Sequence, residues 1–341
     1  MVTSSLNNKM HSTTDANRFA YLDILRFLAC LGVITIHASC QVFNSNVFEM
    51  PPIGSVDWIF AAIYNALSRF SVPVFLMISG ALFIGREISI NRLFSKYVLR
   101  LVLAYLVWSL FYAFVTNGNN YKSVIMAALK GHSRFGFICY LAGLYIATPV
   151  INKICMDKKV HGYFVVLCFV FCSAIPLLCH CLSLSSNRII QYVNDVISIT
   201  INRMNLEFAM GMTEYYVAGS YIHKYTFDKK TRRIIYSFGI LGVLFTTFMT
   251  IVRSVSMGEA DYSWLNYCWA NNFFASCALF LFVKEKNNQV HDPKAFQIVF
   301  GKISKYFFGV YLIHTYFLDT VIPNYIGFNS NSFHAAFLFL F

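Results

Sequence analysis

The chain has 341 residues, of which 57% are hydrophobic and only 12% charged, with a mean hydropathy of +0.57. Soluble domains carry about 25% charged residues, so a water-soluble enzyme is excluded and an integral membrane protein is implied. The formal net charge of +12 calls for no nucleic-acid partner, because the basic residues crowd the joints between apolar runs, where they set membrane orientation.

Runs approaching the ~20 apolar residues that cross a ~30 Å hydrocarbon core recur from end to end, which predicts an all-α, polytopic membrane fold of about ten transmembrane helices. A polar tail over residues 1–17 is followed by one transmembrane domain over residues 18–341. Spans are expected near residues 19–40, 58–84, 98–115, 135–151, 161–182, 206–222, 234–252, 265–283 and 306–322. The first is too long for a signal peptide and lacks a small-residue cleavage pattern, so it reads as an uncleaved span. A last apolar stretch, Ser332 to Phe341, supplies about half a span and reads as a truncated tenth helix.

Basic residues alternate between joints. Lys9 and Arg18 precede the first span, Arg86, Arg92, Lys96 and Arg100 follow the second, and Lys153, Lys158 and Lys159 follow the fourth. Further clusters at Lys224–Arg233 and Lys284–Lys305 continue the pattern, whereas the opposite joints are sparse in them. The positive-inside rule then places the N-terminus in the cytoplasm.

Three ionisable residues, Asp23, Arg26 and His37, lie inside the first span. Asp or Arg at the centre of a spanning helix costs roughly 2.5–3.5 kcal/mol on insertion scales, so such groups mark a site or a pathway. Residues 26 and 37 are eleven apart, about 1100° of helical rotation, which returns to within about 20° of the same face. Their axial separation is about 16 Å, so they suit the two ends of one tunnel. Asp23 stands one turn before Arg26, where an i, i+3 ion pair forms readily.

A second intramembrane histidine, His314, follows Tyr311 by three residues in the ninth span, roughly 13 Å beyond Lys305 along a helix and near the midplane. Two histidines from distant spans can meet in one cavity, and taken alone His314 reads equally well as a packing hydrogen-bonder or a site group. In the basic joint after the second span, Lys96 and Arg100 have i, i+4 spacing and accompany Arg92; guanidinium and ammonium groups there suit phosphate, although a purely topogenic role is the default for a basic joint. Ser79-Gly80 is a small-residue point for close helix approach. The ten cysteines are scattered through apolar segments as small hydrophobes, and Cys179-His180-Cys181 is not a zinc spacing, so no metal is expected.

Leu22-Asp23-Ile24-Leu25-Arg26-Phe27-Leu28-Ala29, with His37 closing an Arg-x10-His spacing, resembles the opening helix of the acyltransferase 3 family of membrane O-acyltransferases. Three further segments resemble the same family in order: Ser71-Val72-Pro73 through Ser79-Gly80, Leu144 through Pro149, and Phe308 through His314. The length, Tyr267-Cys268 and the Ser-Val-Pro run bring the chain nearest to the branch that O-acetylates enterobacterial common antigen. The resemblance implies a multi-pass protein of the bacterial inner membrane that transfers an acyl group, usually acetyl from acetyl-CoA, to a hydroxyl of a cell-envelope glycan or lipid-linked oligosaccharide.

By the same resemblance Arg26 and His37 are the essential pair, His314 is the late histidine, and Lys96 and Arg100 are the donor-binding cations. One departure bears on the acceptor: family members often carry His-Leu-Trp-Phe before the fourth span, where this chain has His132-Ser133-Arg134-Phe135.

The residue chemistry agrees. A sugar hydroxyl is a poor nucleophile and needs a base, and neutral imidazole suits that role. Coenzyme A is a long polyanion, fitting cations at the cytoplasmic end and a base about 16 Å further along one helix face. Transfer is expected either directly or through an acyl-His relay. The rival reading is a multi-spanning transporter or exporter of a lipid-linked glycan, which also carries midplane charges, although the sequence has neither an evident inverted repeat nor a pair of broken spans.

Overall fold

The structure, a computed structural model, describes residues 2–43, 51–118, 120–204, 206, 211–287 and 303–326. Every regular element among them is helical. We number them α1 (Val2–Phe43), α2 (Val56–Leu67), α3 (Ser71–Phe83), α4 (Ile90–Asn117), α5 (Tyr121–Lys130) and α6 (Gly136–Ile154). Then follow α7 (Lys158–Ser183), α8 (Arg188–Arg203), α9 (Thr213–Lys224), α10 (Lys229–Met257), α11 (Ala270–Asn287) and α12 (Phe307–Tyr316), which runs on as a π-helix over Phe317–Ile326.

Side chains that compete for backbone donors fix where several helices start. Asp157 accepts from Lys159 and Val160 N–H at 2.8 and 2.9 Å to open α7. Asn187 accepts from Ile189 N–H at 2.9 Å to open α8, and Asp228 accepts from Lys230 N–H at 3.2 Å to open α10. Gly258, at φ +72°, closes α10 in the left-handed conformation.

Among the described residues six segments are long and apolar enough to cross a membrane: Ala20–Phe43 of α1, Val56–Phe83, α4, α6, α7 and α10. The expected spans near 206–222, 265–283 and 306–322 are realised as shorter or more polar helices. α9 has only 12 residues, about 18 Å against a ~30 Å core. α11 opens on Asn271 and Asn272 and ends on Lys284, Glu285 and Lys286, which dilutes its hydropathy. The apolar part of the last helix covers Phe307–Ile322. The expected truncated helix at 332–341 lies outside the described residues.

Several apolar runs are interrupted. Val56–Phe83 breaks between Leu67 and Ser71, and Pro73 falls in the first turn of α3, where its missing N–H costs nothing. In α7 a π-turn over Val170–Ala174 precedes Pro176, which cannot donate to the residue four before it. Another π-turn, Leu93–Val98, lies in α4.

The core gathers around α1 and α9. α1 packs on α2, α3, α11 and α12, while α9 lies between α3, α7 and α11 with nearly every residue from Glu214 to Ile222 buried. The α3–α9 crossing is tight: a Cβ on Gly80 would stand 1.7 Å from the Tyr216 carbonyl oxygen, and one on Gly219 2.2 Å from that of Met77. Only glycine allows backbones so near.

Candidate active site

Two cavities lie at opposite ends of one stripe of α1. Asp23 and Arg26 pair through their side chains, as the i, i+3 spacing predicts. Arg26 then lines a cavity of about 290 Å³ with Arg100, Tyr97, Ser79, Tyr145, Ser304 and a ring of apolar groups. Tyr145, stacked on Phe83 at 4.2 Å between ring centroids, faces Ser79, Arg26 and Arg100. Arg26 lies in the first half of α1 and Arg100 in the first half of α4.

Arg100 reaches the cavity and Lys96 does not. The π-turn of Leu93–Val98 widens the helix where the two would otherwise share a face, and Tyr97, Leu101 and the exposed Arg100 line the cavity. Lys96 is exposed and lies over the Tyr97 ring at 5.9 Å, and Arg92 is exposed as well. Of the three expected donor-side cations in this segment, the fold places Arg100 beside Arg26 and leaves Arg92 and Lys96 at its margin.

His37 lines the second cavity, about 340 Å³, with Arg134, Tyr140, Asn266, Tyr267, Cys268 and Tyr311 among its walls. His314 comes to it from α12: the two imidazole centroids are 5.1 Å apart, with ring planes inclined by 31°. His314 Nδ1 donates to the Tyr311 carbonyl at 2.6 Å, which leaves Nε2 of the neutral ring as an acceptor, 3.4 Å from the Thr315 hydroxyl. Among the described residues no side chain hydrogen-bonds to His37, so its ring is available to take a proton from a ligand.

Three charged groups that the spacing argument does not single out complete this end. Arg134 pairs with Asp319 at 2.7 Å, and Asp319 also accepts from Gln41, one turn beyond His37, at 2.9 Å. Arg69 donates to Asn65 from Nε at 2.9 Å and lies over the Tyr267 ring at 5.4 Å. Buried Asn65 donates in turn to the Ser39 hydroxyl at 3.0 Å, tying α2 to α1 two residues past His37. Arg134 and Arg69 are the permanent charges that act on His37.

The departure segment has a defined place. Gly131, at φ +77°, turns the chain out of α5, and the His132 ring packs on Tyr112 at 4.4 Å and on Phe135 at 5.1 Å. Tyr112 in turn donates to the Leu312 carbonyl at 2.9 Å, joining α4 to α12. Burial and the Arg134 charge push the His132 pKa below its usual value.

Among the described residues no group of three His, Cys, Asp or Glu side chains could hold a metal ion. The arrangement offers instead a cationic cavity for an anionic group, and a second cavity where two imidazoles can hold or pass a proton.

Residues 19–341 match a family model described as an acyltransferase domain. The chain belongs to the acyltransferase 3 family. No curated protein and no solved structure shows a significant match to it. The family membership and the apolar helices together make this a multi-pass membrane acyltransferase. In that family the first-helix Arg26 and His37 lie within the matched region, at the two cavities just described.

Proposed function

We propose that this acyltransferase 3 protein is an O-acetyltransferase of the bacterial inner membrane that moves acetyl from acetyl-CoA to a hydroxyl of a cell-envelope glycan, free or lipid-linked. The N-terminus lies in the cytoplasm, so the Arg26 cavity faces the donor and the His37 cavity the acceptor. The observation that carries this reading is the placement of the two cavities on one stripe of α1, cationic at one end and basic at the other. Tyr267-Cys268 and the Ser-Val-Pro run favour the enterobacterial common antigen branch for the acceptor.

In this mechanism Arg26 and Arg100 hold anionic groups of coenzyme A and the pantetheine arm runs along α1. His37 takes the proton of the acceptor hydroxyl as its oxygen attacks the thioester carbonyl. The tetrahedral intermediate carries an oxyanion beside Arg134. Its collapse breaks the C–S bond, and the departing thiolate recovers the proton from His37. His314 stands next to the base, its ring oriented by the Tyr311 carbonyl.

Mass spectrometry of surface glycans from cells with and without the gene tests the reading. The expected result is one acetyl unit lost from a particular repeat, restored by the wild-type gene and not by His37→Ala. Interrupted spans are a feature shared with transporters; glycan transport by reconstituted vesicles without any acetylation would replace the proposal by that reading.

A further inference from the structure

The Arg26 cavity and the His37 cavity have two lining residues in common, Phe137 and Tyr311. Phe75 completes the wall between them. Its ring centroid lies 5.6 Å from that of Phe137 and 6.4 Å from that of Tyr311, and Phe137 and Tyr311 stand edge to face at 5.5 Å. Rings at these separations are in mutual contact, so the three pack as one aromatic layer where the two cavities adjoin.

Tyr311 is tied to both chemical elements of the acceptor side. Its hydroxyl donates to the Arg134 carbonyl at 3.0 Å, and its own carbonyl accepts from His314 at 2.6 Å. Arg134 lines the His37 cavity and holds Asp319 through its guanidinium. Phe137 follows Arg134 by three residues, through the short turn Ser133–Phe135. A ligand that draws on Arg134 therefore pulls on two of the three rings at once.

We propose that Phe75, Phe137 and Tyr311 form a septum that keeps the donor thioester away from the His37–His314 pair until an acceptor engages Arg134, with Tyr311 as the positioning residue that couples the two events. The direction of donor and acceptor rests on the function proposed above. The chemical need is clear. Water beside His37 could add to an acetyl thioester, giving up a proton to the imidazole, after which the thiolate leaves and takes that proton, yielding acetate and free coenzyme A. A closed septum suppresses this loss and keeps the two cavities from joining into an ion path across the membrane.

The test uses the full chain in liposomes with two readouts, proton permeability under an imposed pH gradient and free thiol released from acetyl-CoA without acceptor. Phe137→Ala is expected to raise both by about tenfold. Tyr311→Phe, which keeps the ring and loses the hydroxyl, should raise thiol release to a smaller extent and leave the vesicles tight. Phe280→Leu, a buried aromatic away from the septum, should change neither. Phe137→Leu serves where the alanine variant does not fold.

Tight vesicles together with unchanged thiol release in a folded Phe137 variant would overturn the septum. A proton leak in that variant, with no thiol released from acetyl-CoA by any form of the protein, keeps the septum and overturns acetyl-CoA as the donor.

Discussion

Arg26 is only partly available to an anionic ligand, because Asp23 already neutralises it. Among the described residues Arg100 has no such carboxylate partner, so it is the stronger candidate for phosphate. Arg100→Gln should weaken acetyl-CoA binding about tenfold and Lys96→Gln hardly at all, as titration calorimetry in detergent would read; the reverse ranking would move the donor out of the Arg26 cavity. His132 makes a pH-dependent contribution. Its pKa is lowered in the folded protein by burial, so below the usual imidazole range the unfolded chain binds a proton that the folded one does not, and stability falls as pH falls. Going from about pH 7.5 to about pH 5.5, the melting temperature should drop, and less in His132→Gln than in the wild type. At this scale Asp23, Arg26, His37 and His314 were legible because charge inside an apolar run is conspicuous. Arg69 and Asp319 were visible by the same rule, each set in an apolar run, but neither shares the stripe of α1. The role of Arg134 was not legible, since its partners lie on α12, far away in the chain.

Helix periodicity assumes a constant turn, and α4 shows where that assumption fails. A π-turn between Leu93 and Val98 separates Lys96 from Arg100 on the surface, although counting at 3.6 residues per turn joins them. No residue in Leu-Phe-Ser-Lys-Tyr-Val announces the wider turn. Of the span expected near 206–222, the described residues hold α9 from Thr213 to Lys224, and residues 207–210 lie outside them. The small-residue pair was legible at Ser79-Gly80, while its counterpart Gly219 emerges only when α3 and α9 cross. Gly219→Ala puts a methyl 2.2 Å from the Met77 carbonyl oxygen, and is expected to cost about 3 kcal/mol or more by forcing the backbones apart. Gly143→Ala, inside α6 where a Cβ meets nothing within 4 Å, should keep or slightly raise the melting temperature; equal behaviour of the two variants would show that the crossing is slack.

Across the whole molecule, the two cavities draw on opposite sets of joints. Arg26, Arg100 and Ser304 adjoin the basic joints, whereas Arg134, Met212 and Asn266 adjoin the sparse ones. Orientation therefore decides which cavity faces the cytoplasm and, on the proposed function, the acetyl-CoA there. Alkaline phosphatase fused after Asp157 should be inactive and fused after Ser186 active, as expected for cytoplasmic and external positions; the opposite pattern would turn the molecule over and place the Arg26 cavity outside. The septum between the cavities also has an electrical consequence. Where water fills both chambers, most of the transmembrane voltage falls across three aromatic rings instead of the full bilayer, and a charge displaced there feels ~2.3 kcal/mol per 100 mV. In the reaction proposed for this protein acetyl passes outward as a hydroxyl hydrogen passes inward, so the completed exchange carries no net current. An energised membrane can thus alter how fast the protein turns over, through the charge separated in the transition state, while leaving the final extent of acetylation untouched.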